Sequence, residues 1–539
     1  MRFSASLRLK RSYWLAGCFA IAALTSGAAL GQDCGGLAGK TFGAATITAA
    51  TSVSPPSSLL GLDPPQPTKI KAPFCRVEGV IKPSSDSNIK FEVWLPSGSA
   101  WNGKFGEIGN GGFAGSLILP SMALRLEQGY AVSGTDTGHA GASLDPDWAL
   151  NHPEKIVDFG WRAIHETADA SKAVIAAYYA KPASRSYFAG CSDGGREALV
   201  EAQRFPKDFD GIVAGAPANY WTNLMTNAAA TMRALDKPGA WLSPDDLALV
   251  SAAAQRVCPS ADGYVDDPGS CKFDPSTLSC KAGQKEHCLT DAQLAGLKAV
   301  YAGTKDAEGK TINPGYPPGG EAGPAAWSLW ITGTEPKRTA DSLMSGFSSG
   351  YFANMVFDKP GWTPKDGSVA GDWAAARKTA DAFDAANPDL SAFKAAGGKL
   401  IQYHGWSDAA IPTTSSIDYY KAVAARMGGL DEIKSFYRLF LAPGMMHCGG
   451  GPGPSAVSGV FGQQAPSDDP QHDVLAALDR WVEKGEAPEK IVATRYRDDN
   501  PGKGVAAQRP WCAYPATARF SGKGAHSDAA NFACKTAGQ

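Results

Sequence analysis

The sequence predicts an α/β fold, and three observations carry the expectation. Short apolar runs of strand length recur at Lys104 to Ile108, Tyr130 to Gly134, Ser186 to Ala189, Asp210 to Ala216, Lys399 to Gly405 and Phe436 to Leu441, with an amphipathic helical pattern over Ala163 to Ala180 feeding one of them. One run breaks at Gly190 and restarts as a helix through Gly190-Cys191-Ser192-Asp193-Gly194. Two later strands run into polar loops, the first carrying Asp408 and the second His447.

The five residues around Ser192 fit G-x-S-x-G, in which glycines let the backbone turn sharply from strand to helix and hold the serine oxygen clear of the sheet. Alone, the pattern is also ordinary turn chemistry; the strand before it and the helix after it give it the required setting. A nucleophilic serine needs a base and a carboxylate to orient that base. The order Ser192, Asp408, His447 is that of an α/β-hydrolase, whose loops meet at the carboxyl ends of neighbouring strands. A cysteine precedes Ser192 and another follows His447. If the histidine bonds the serine, Cys191 and Cys448 come within the roughly 4.4–6.8 Å between α-carbons that a disulfide needs.

On these residues, with Asn110-Gly111-Gly112, Gly315 to Gly320 and the cysteine order, the chain resembles the tannase and feruloyl esterase family, which also contains the mono(hydroxyethyl)terephthalate hydrolase. The resemblance runs through most of the chain after the leader. It implies an α/β-hydrolase core with an inserted lid, a bound calcium ion, and hydrolysis of esters of phenolic or aromatic acids. A feruloyl (hydroxycinnamoyl) esterase is the first expectation, with tannase and terephthalate monoester hydrolase as alternatives. An inactive member binding an aromatic ligand or polysaccharide is the alternative of another class; the presence of all three triad candidates argues against it.

The 539 residues, 44% hydrophobic, can bury a large core and exceed one compact domain's usual need. Lys plus Arg number 51 against 53 Asp plus Glu, a balance without a basic stripe that argues against nucleic acid or an anionic membrane as partner. A basic start, an apolar stretch from Tyr13 to about Leu24 and small residues to Gly31 read as a secretory signal peptide over residues 1–31. The apolar part is too short to span a membrane. Cys18 of the eleven cysteines lies in that leader. Ten remain, an even number that suits five disulfides in an oxidising compartment, secreted or periplasmic. Spacing suggests Cys34 with Cys75, Cys258 with Cys271, Cys280 with Cys288 and Cys512 with Cys534; the residues leave connectivity open, and the resemblance favours this set. No CxxC pair supports zinc.

In chain order, Phe74 to Leu95 reads as two antiparallel strands. The glycine loop after Lys104 to Ile108 is by itself a tight turn; the resemblance implies an oxyanion role for the N–H of Gly112, with that of Asp193 as second donor. Asp136, His139 and His165 read as turn, cap or structural residues. The core spans residues 32–218 and 388–539. From 219 to 387 strand signals fade into helical pieces, Gly/Pro-rich loops and tryptophans, which suits a lid; Trp327, Trp330, Tyr351 and Phe352 are candidate walls of an aromatic pocket. Within it, Cys258 to Pro268 looks like the family's calcium loop, implying carboxylates from Asp262 and Asp266 and carbonyls from Tyr264 and Pro268. The family has an aspartate where this chain has Pro259. A helix over His472 to Lys484, with Trp481 on its buried face, precedes Pro-rich coil and the C-terminal clip.

Overall fold

Strands buried on both faces need helices above and below them, and the chain builds such a sheet. The computed structural model describes residues 33–61, 67–258, 262–335, 341–459 and 463–536; the leader read at residues 1–31 lies outside them. Its central sheet has ten strands: β1 (Thr41–Phe42), β2 (Ala45–Val53), β3 (Phe74–Ile81), β4 (Ile89–Pro96), β5 (Lys104–Ile108), β6 (Ala131–Thr135), β7 (Arg185–Cys191), β8 (Gly211–Gly215), β9 (Lys399–Gly405) and β10 (Tyr437–Ala442). They lie in the order β1-β2-β3-β4-β6-β5-β7-β8-β9-β10. The pairs up to β4–β6 are antiparallel and the rest parallel. Chemistry tracks topology: β6 and β8 are buried throughout, whereas β3 alternates buried and half-buried residues.

Register decides where the loops meet. Gly215 pairs with Cys191 and with Tyr403, and Gly405 pairs with Ala442. The carboxyl ends of β7, β8, β9 and β10 therefore share one edge, and Ser192, Asp408 and His447 all follow it.

Eight helices matter here: α1 (Ala163–Tyr179), α2 (Asp193–Arg204), α3 (Trp221–Leu235), α4 (Pro244–Val257), α5 (Asp291–Ala302), α6 (Leu343–Gly350), α7 (Thr413–Met427) and α8 (Val474–Lys484). One face of the sheet packs on α1, α2 and α7 through Val174, Leu199 and Tyr419; the other packs on α8 through Leu478 and Trp481. Helices α3 to α6 lie in the insert between β8 and β9. Capping boxes at Ser243/Asp246 and Thr290/Gln293 start α4 and α5. The insert shares one apolar cluster with the core: Phe113, Trp148 and Phe159 meet Trp221, Tyr351 and Phe352.

Five disulfides join Cys34 to Cys75, Cys191 to Cys448, Cys258 to Cys271, Cys280 to Cys288 and Cys512 to Cys534. One expectation needs correction, and one element was not anticipated. The C-terminal segment is not coil: β11 (Lys490–Tyr496) pairs with β12 (Val505–Cys512), and β13 (Thr517–Phe520) with β14 (Phe532–Lys535). At the other end β1 and β2, unforeseen, add an edge; Ala and Thr dominate β2, so its small side chains give little hydrophobic contrast.

Candidate active site

At the end of β7 the chain reverses into α2, and Ser192 takes φ 65° and ψ −118°, a backbone region costly for a residue with a β-carbon. The flanking glycines are steric necessities. A β-carbon at Gly190 would lie 2.4 Å from the Gly194 carbonyl oxygen, and one at Gly194 would lie 2.7 Å from that of Asn110. The turn is locked by Ser192 N donating to Gly215 O and Gly194 N donating to Asn110 O, both at 3.0 Å. Helix α2 begins at Asp193, so the Asp193 N–H is among the amides that a helix start leaves without an intrahelical partner.

The loop after β5 brings Gly112 to a cavity that Ser192 and Asp193 also line. Its φ is 60°, and a β-carbon there would meet the Ser143 carbonyl at 2.4 Å. Several groups hold this loop. Asn110 Nδ2 donates to Ser116 O at 2.9 Å and Thr135 O at 2.8 Å, and Asn110 N donates to Glu197 Oε2 at 2.9 Å. His139 places Nε2 2.7 Å from Phe113 O and stacks on Trp148, a buttress beyond a turn residue's part. Burial takes the His139 pKa down to about 4, so the ring is neutral at pH 7. The Asp193 carboxylate is buried against Arg196 at 2.6 Å, whose other nitrogens donate to the carbonyls of Gly160 and Phe159.

From the neighbouring strand ends come the acid and base. His447 Nδ1 lies 2.8 Å from Asp408 Oδ2. Asp408 Oδ1 accepts the N–H groups of Ala410 at 2.8 Å and Ile411 at 2.9 Å, and His404 Nε2 stands 3.1 Å from Oδ2. Burial by itself raises the pKa of such a carboxyl; the His447 charge and the histidine hydrogen bonds overcome it and hold Asp408 well below the usual carboxylate range. The Cys191–Cys448 bridge, 5.9 Å between α-carbons, ties the residue before the serine to the one after the histidine.

Two cavities meet at Ser192. The inner one is an apolar slot lined by Trp221, Leu224, Met225, Trp330, Phe347 and Ile411 together with Gly112 and Asp193. The outer one, about 360 Å³, is bordered by His447, the bridge, Leu343 and Ser143. Trp330 lines both and meets His447 edge-on, ring centres 5.0 Å apart. The other aromatic candidates are core residues: Trp327 packs on Tyr301 and Tyr316, Tyr351 on Phe383 and Phe352 on Trp362. The actual walls come mainly from α3 and α6, whose inward positions no sequence spacing singled out. His404 was also missed; a histidine closing a buried strand, four residues before the acid, was the available signal.

The calcium loop fares differently. Asp262 is already engaged by the C-terminal segment: the Arg509 guanidinium of β12 forms an ion pair with its carboxylate, and His526 Nδ1 lies 3.0 Å from each of its oxygens. Arg509 also stands 3.8 Å from Asp266 Oδ1. Calcium asks for six to eight oxygens, and a guanidinium on the shared carboxylates repels a dication. The set Asp262, Tyr264, Asp266 and Pro268 thus does not fit the ion, in keeping with Pro259 in place of a carboxylate.

The sheet order and a strained serine at its carboxyl edge, beside a histidine–aspartate pair, define the α/β-hydrolase class. Comparison with known proteins narrows this. Residues 75–535 match the family described as tannase and feruloyl esterase, and the chain belongs to that family. It is a carboxylic ester hydrolase of the tannase and feruloyl esterase type. An uncharacterised esterase of Xanthomonas campestris pv. campestris is 39% identical, covering 96% of this chain and 93% of that protein. A protein named "probable feruloyl esterase B-1" of Aspergillus fumigatus is 34% identical over 86% of this chain and 85% of its own length. Among solved structures, feruloyl esterase B from Aspergillus oryzae superposes with a TM-score of 0.83 at 32% identity, covering 92% of this chain and 98% of its own. The tannin acyl hydrolase from Aspergillus niger, at 22% identity and TM-score 0.73, covers 92% of this chain and 93% of its own and shares the fold. Among the described residues no helix is long and apolar enough to cross a membrane.

Proposed function

We propose that the protein is an exported feruloyl (hydroxycinnamoyl) esterase working through Ser192, His447 and Asp408. The observation that carries the substrate choice is the lining of the inner slot. Among the described residues no lysine, arginine or histidine lines it, so a terephthalate monoester would bury its second carboxylate without a partner, at severe cost. A galloyl group would bring three hydroxyls into a wall that offers few partners, each unmet one costing about 1–3 kcal/mol. Trp221 lines the slot, and its buried indole N–H has no partner among the described residues. A slot with so little polar lining suits an acyl ring with few polar groups. The wider outer cavity suits the alcohol, including a sugar of a plant polysaccharide, and five disulfides suit export.

In this reading His447 Nε2 takes the Ser192 proton as the serine oxygen bonds to the ester carbonyl carbon. The tetrahedral oxyanion lies against the N–H groups of Gly112 and Asp193, each such donor contributing roughly 3 kcal/mol. Collapse breaks the ester C–O bond, and the departing alcohol takes the proton from His447. Water then gives a proton to His447 while attacking the acyl carbon, and Ser192 leaves with that proton as the acid is released. Asp408 orients the ring and stabilises its cation.

The test compares kcat/KM for methyl ferulate, methyl gallate and a terephthalate monoester. We expect ferulate to lead by roughly tenfold or more, the equivalent of one unmet polar group. A lead for either other ester would overturn the substrate choice. Ser192→Ala should abolish both turnover and labelling by a fluorophosphonate; near-normal turnover would overturn the triad.

A further inference from the structure

Behind Asp408 runs a chain of buried polar groups that the reaction scheme does not use. Tyr437 of β10 donates its hydroxyl to Gln402 Oε1 of β9. Gln402 Nε2 donates to Ser416 Oγ of α7 at 2.6 Å, and Ser416 Oγ lies 2.7 Å from His404 Nδ1. His404 Nε2 in turn lies 3.1 Å from Asp408 Oδ2, the oxygen that also faces His447 Nδ1. Tyr437, Gln402, Ser416 and His404 are each fully enclosed, and Asp408 is 2% exposed.

The hydrogen on His404 Nε2 follows from the groups that this nitrogen faces. The Gln402 oxygen is taken by the tyrosine O–H, so its N–H goes to Ser416. His404 Nε2 faces two groups that only accept, Asp408 Oδ2 and the Ile411 carbonyl, so it carries a hydrogen, and Nδ1 of the neutral ring is left to accept the Ser416 hydroxyl. A ring that accepts at Nδ1 carries its proton at Nε2 when neutral, and that N–H points at Asp408 Oδ2 and the Ile411 carbonyl, 3.1 Å away. His404 thereby stands as a donor to the acid.

We propose that His404 is a positioning residue: it fixes the rotamer of Asp408 and keeps that carboxylate ionised, so that Oδ2 meets the Nδ1–H of His447. The proposal rests on the triad reading. The ionisable groups facing Asp408 are His404 from β9, His447 from the loop after β10, and Tyr316 from the insert, whose hydroxyl donates to Ala410 O at 2.9 Å. Of these only His404 is oriented by buried partners on three elements. Without its N–H, the negative charge on Asp408 is shared less, the Asp408–His447 pair holds a proton more tightly, and the base is blocked at higher pH.

The experiment measures kcat, KM and the pH profile of kcat/KM on methyl ferulate for wild type, His404→Leu, His404→Gln and Ser416→Ala, with folding checked by circular dichroism. Expected for His404→Leu are a kcat loss of roughly tenfold or more, KM within about twofold, and an acid limb displaced upward by about half a pH unit or more. His404→Gln, whose amide N–H stands where Nε2 stood, should restore both kcat and the acid limb. Ser416→Ala, which takes the partner from Nδ1, should move the limb the same way by less. If His404→Leu does not fold, His404→Gln with near-wild-type behaviour and a displaced limb in Ser416→Ala support the proposal, and an unmoved limb in Ser416→Ala overturns it. A folded His404→Leu with an unmoved limb, or a loss that Gln does not restore, also overturns it. Failure of the triad reading looks different: His447→Ala and Asp408→Asn would then keep their activity.

Discussion

Asp136 shows how a residue at the end of a strand can couple stability to pH. Its carboxyl closes β6, buried, with Oδ1 accepting the N–H groups of Gly138 and Lys90, both at 2.9 Å. Burial outweighs those bonds and takes its pKa up to about 7. Because the folded state holds the proton more tightly than the unfolded chain, this contribution is fully present below about pH 4 and is lost as pH rises through about 7. A rise of that extent corresponds to a stability difference on the order of 4 kcal/mol between the two ends of the window. Asp136→Asn keeps an acceptor for both N–H groups and removes the titration. Melting temperatures from pH 5 to 8 should therefore fall more steeply for wild type than for the variant; parallel curves would sink this account. At the triad, Asp408→Asn should lower kcat by roughly a thousandfold or more, because the amide no longer selects the right histidine tautomer, and single-turnover kinetics would read the loss in the chemical step.

At the scale of elements, two ties hold loops that secondary structure alone leaves loose. The Cys191–Cys448 bridge joins the neighbour of Ser192, whose φ is 65°, to Cys448, whose own φ is 61°. Such conformations persist only where their surroundings impose them, and here a covalent link does so next to both nucleophile and base. A displacement of about 1 Å can cost on the order of a hundredfold in rate. The double change Cys191→Ala with Cys448→Ala should accordingly lower kcat tenfold to a hundredfold in protein that circular dichroism shows folded. An unaltered kcat would reduce the bridge to a staple. The second tie is Arg509 of β12 on Asp262. Since this cation stands on the proposed carboxylates, a chelator should leave the melting temperature unchanged, whereas Arg509→Ala should lower it and leave Asp262 and Asp266 in need of a cation. A chelator-induced drop in wild type, with calcium found by metal analysis, would contradict the assignment.

For the molecule as a whole, the apolar cluster shared by the insert and the core argues that they unfold together. Tryptophan fluorescence and loss of esterase activity should follow one thermal transition, and an earlier transition confined to activity would show the insert opening alone. Much of this architecture was readable in the chain. The glycine-flanked serine, the long apolar strands and the cysteines beside serine and histidine are local signals, because a sharp turn, a buried strand and a thiol each restrict which residue types will serve. The loops that carry Asp408 and His447 were likewise readable as strand ends. Less visible was whatever depends on register and on packing between distant segments. Trp327, Tyr351 and Phe352 look as suited to a pocket as Trp330, yet only the placement of α3, α6 and Trp330 around Ser192 decides which aromatic lines the slot. His404 became a partner of Asp408 because β10 and α7 bring Tyr437 and Ser416 into line with Gln402 of its own strand, and Asp262 met Arg509 only through the pairing of the C-terminal strands. The sequence by itself determined the class of chemistry, since a strained serine needs particular neighbours in the chain. Tertiary structure alone decided the slot, the second histidine and the partner of the acidic loop, because a side chain's role there depends on neighbours tens to hundreds of residues away.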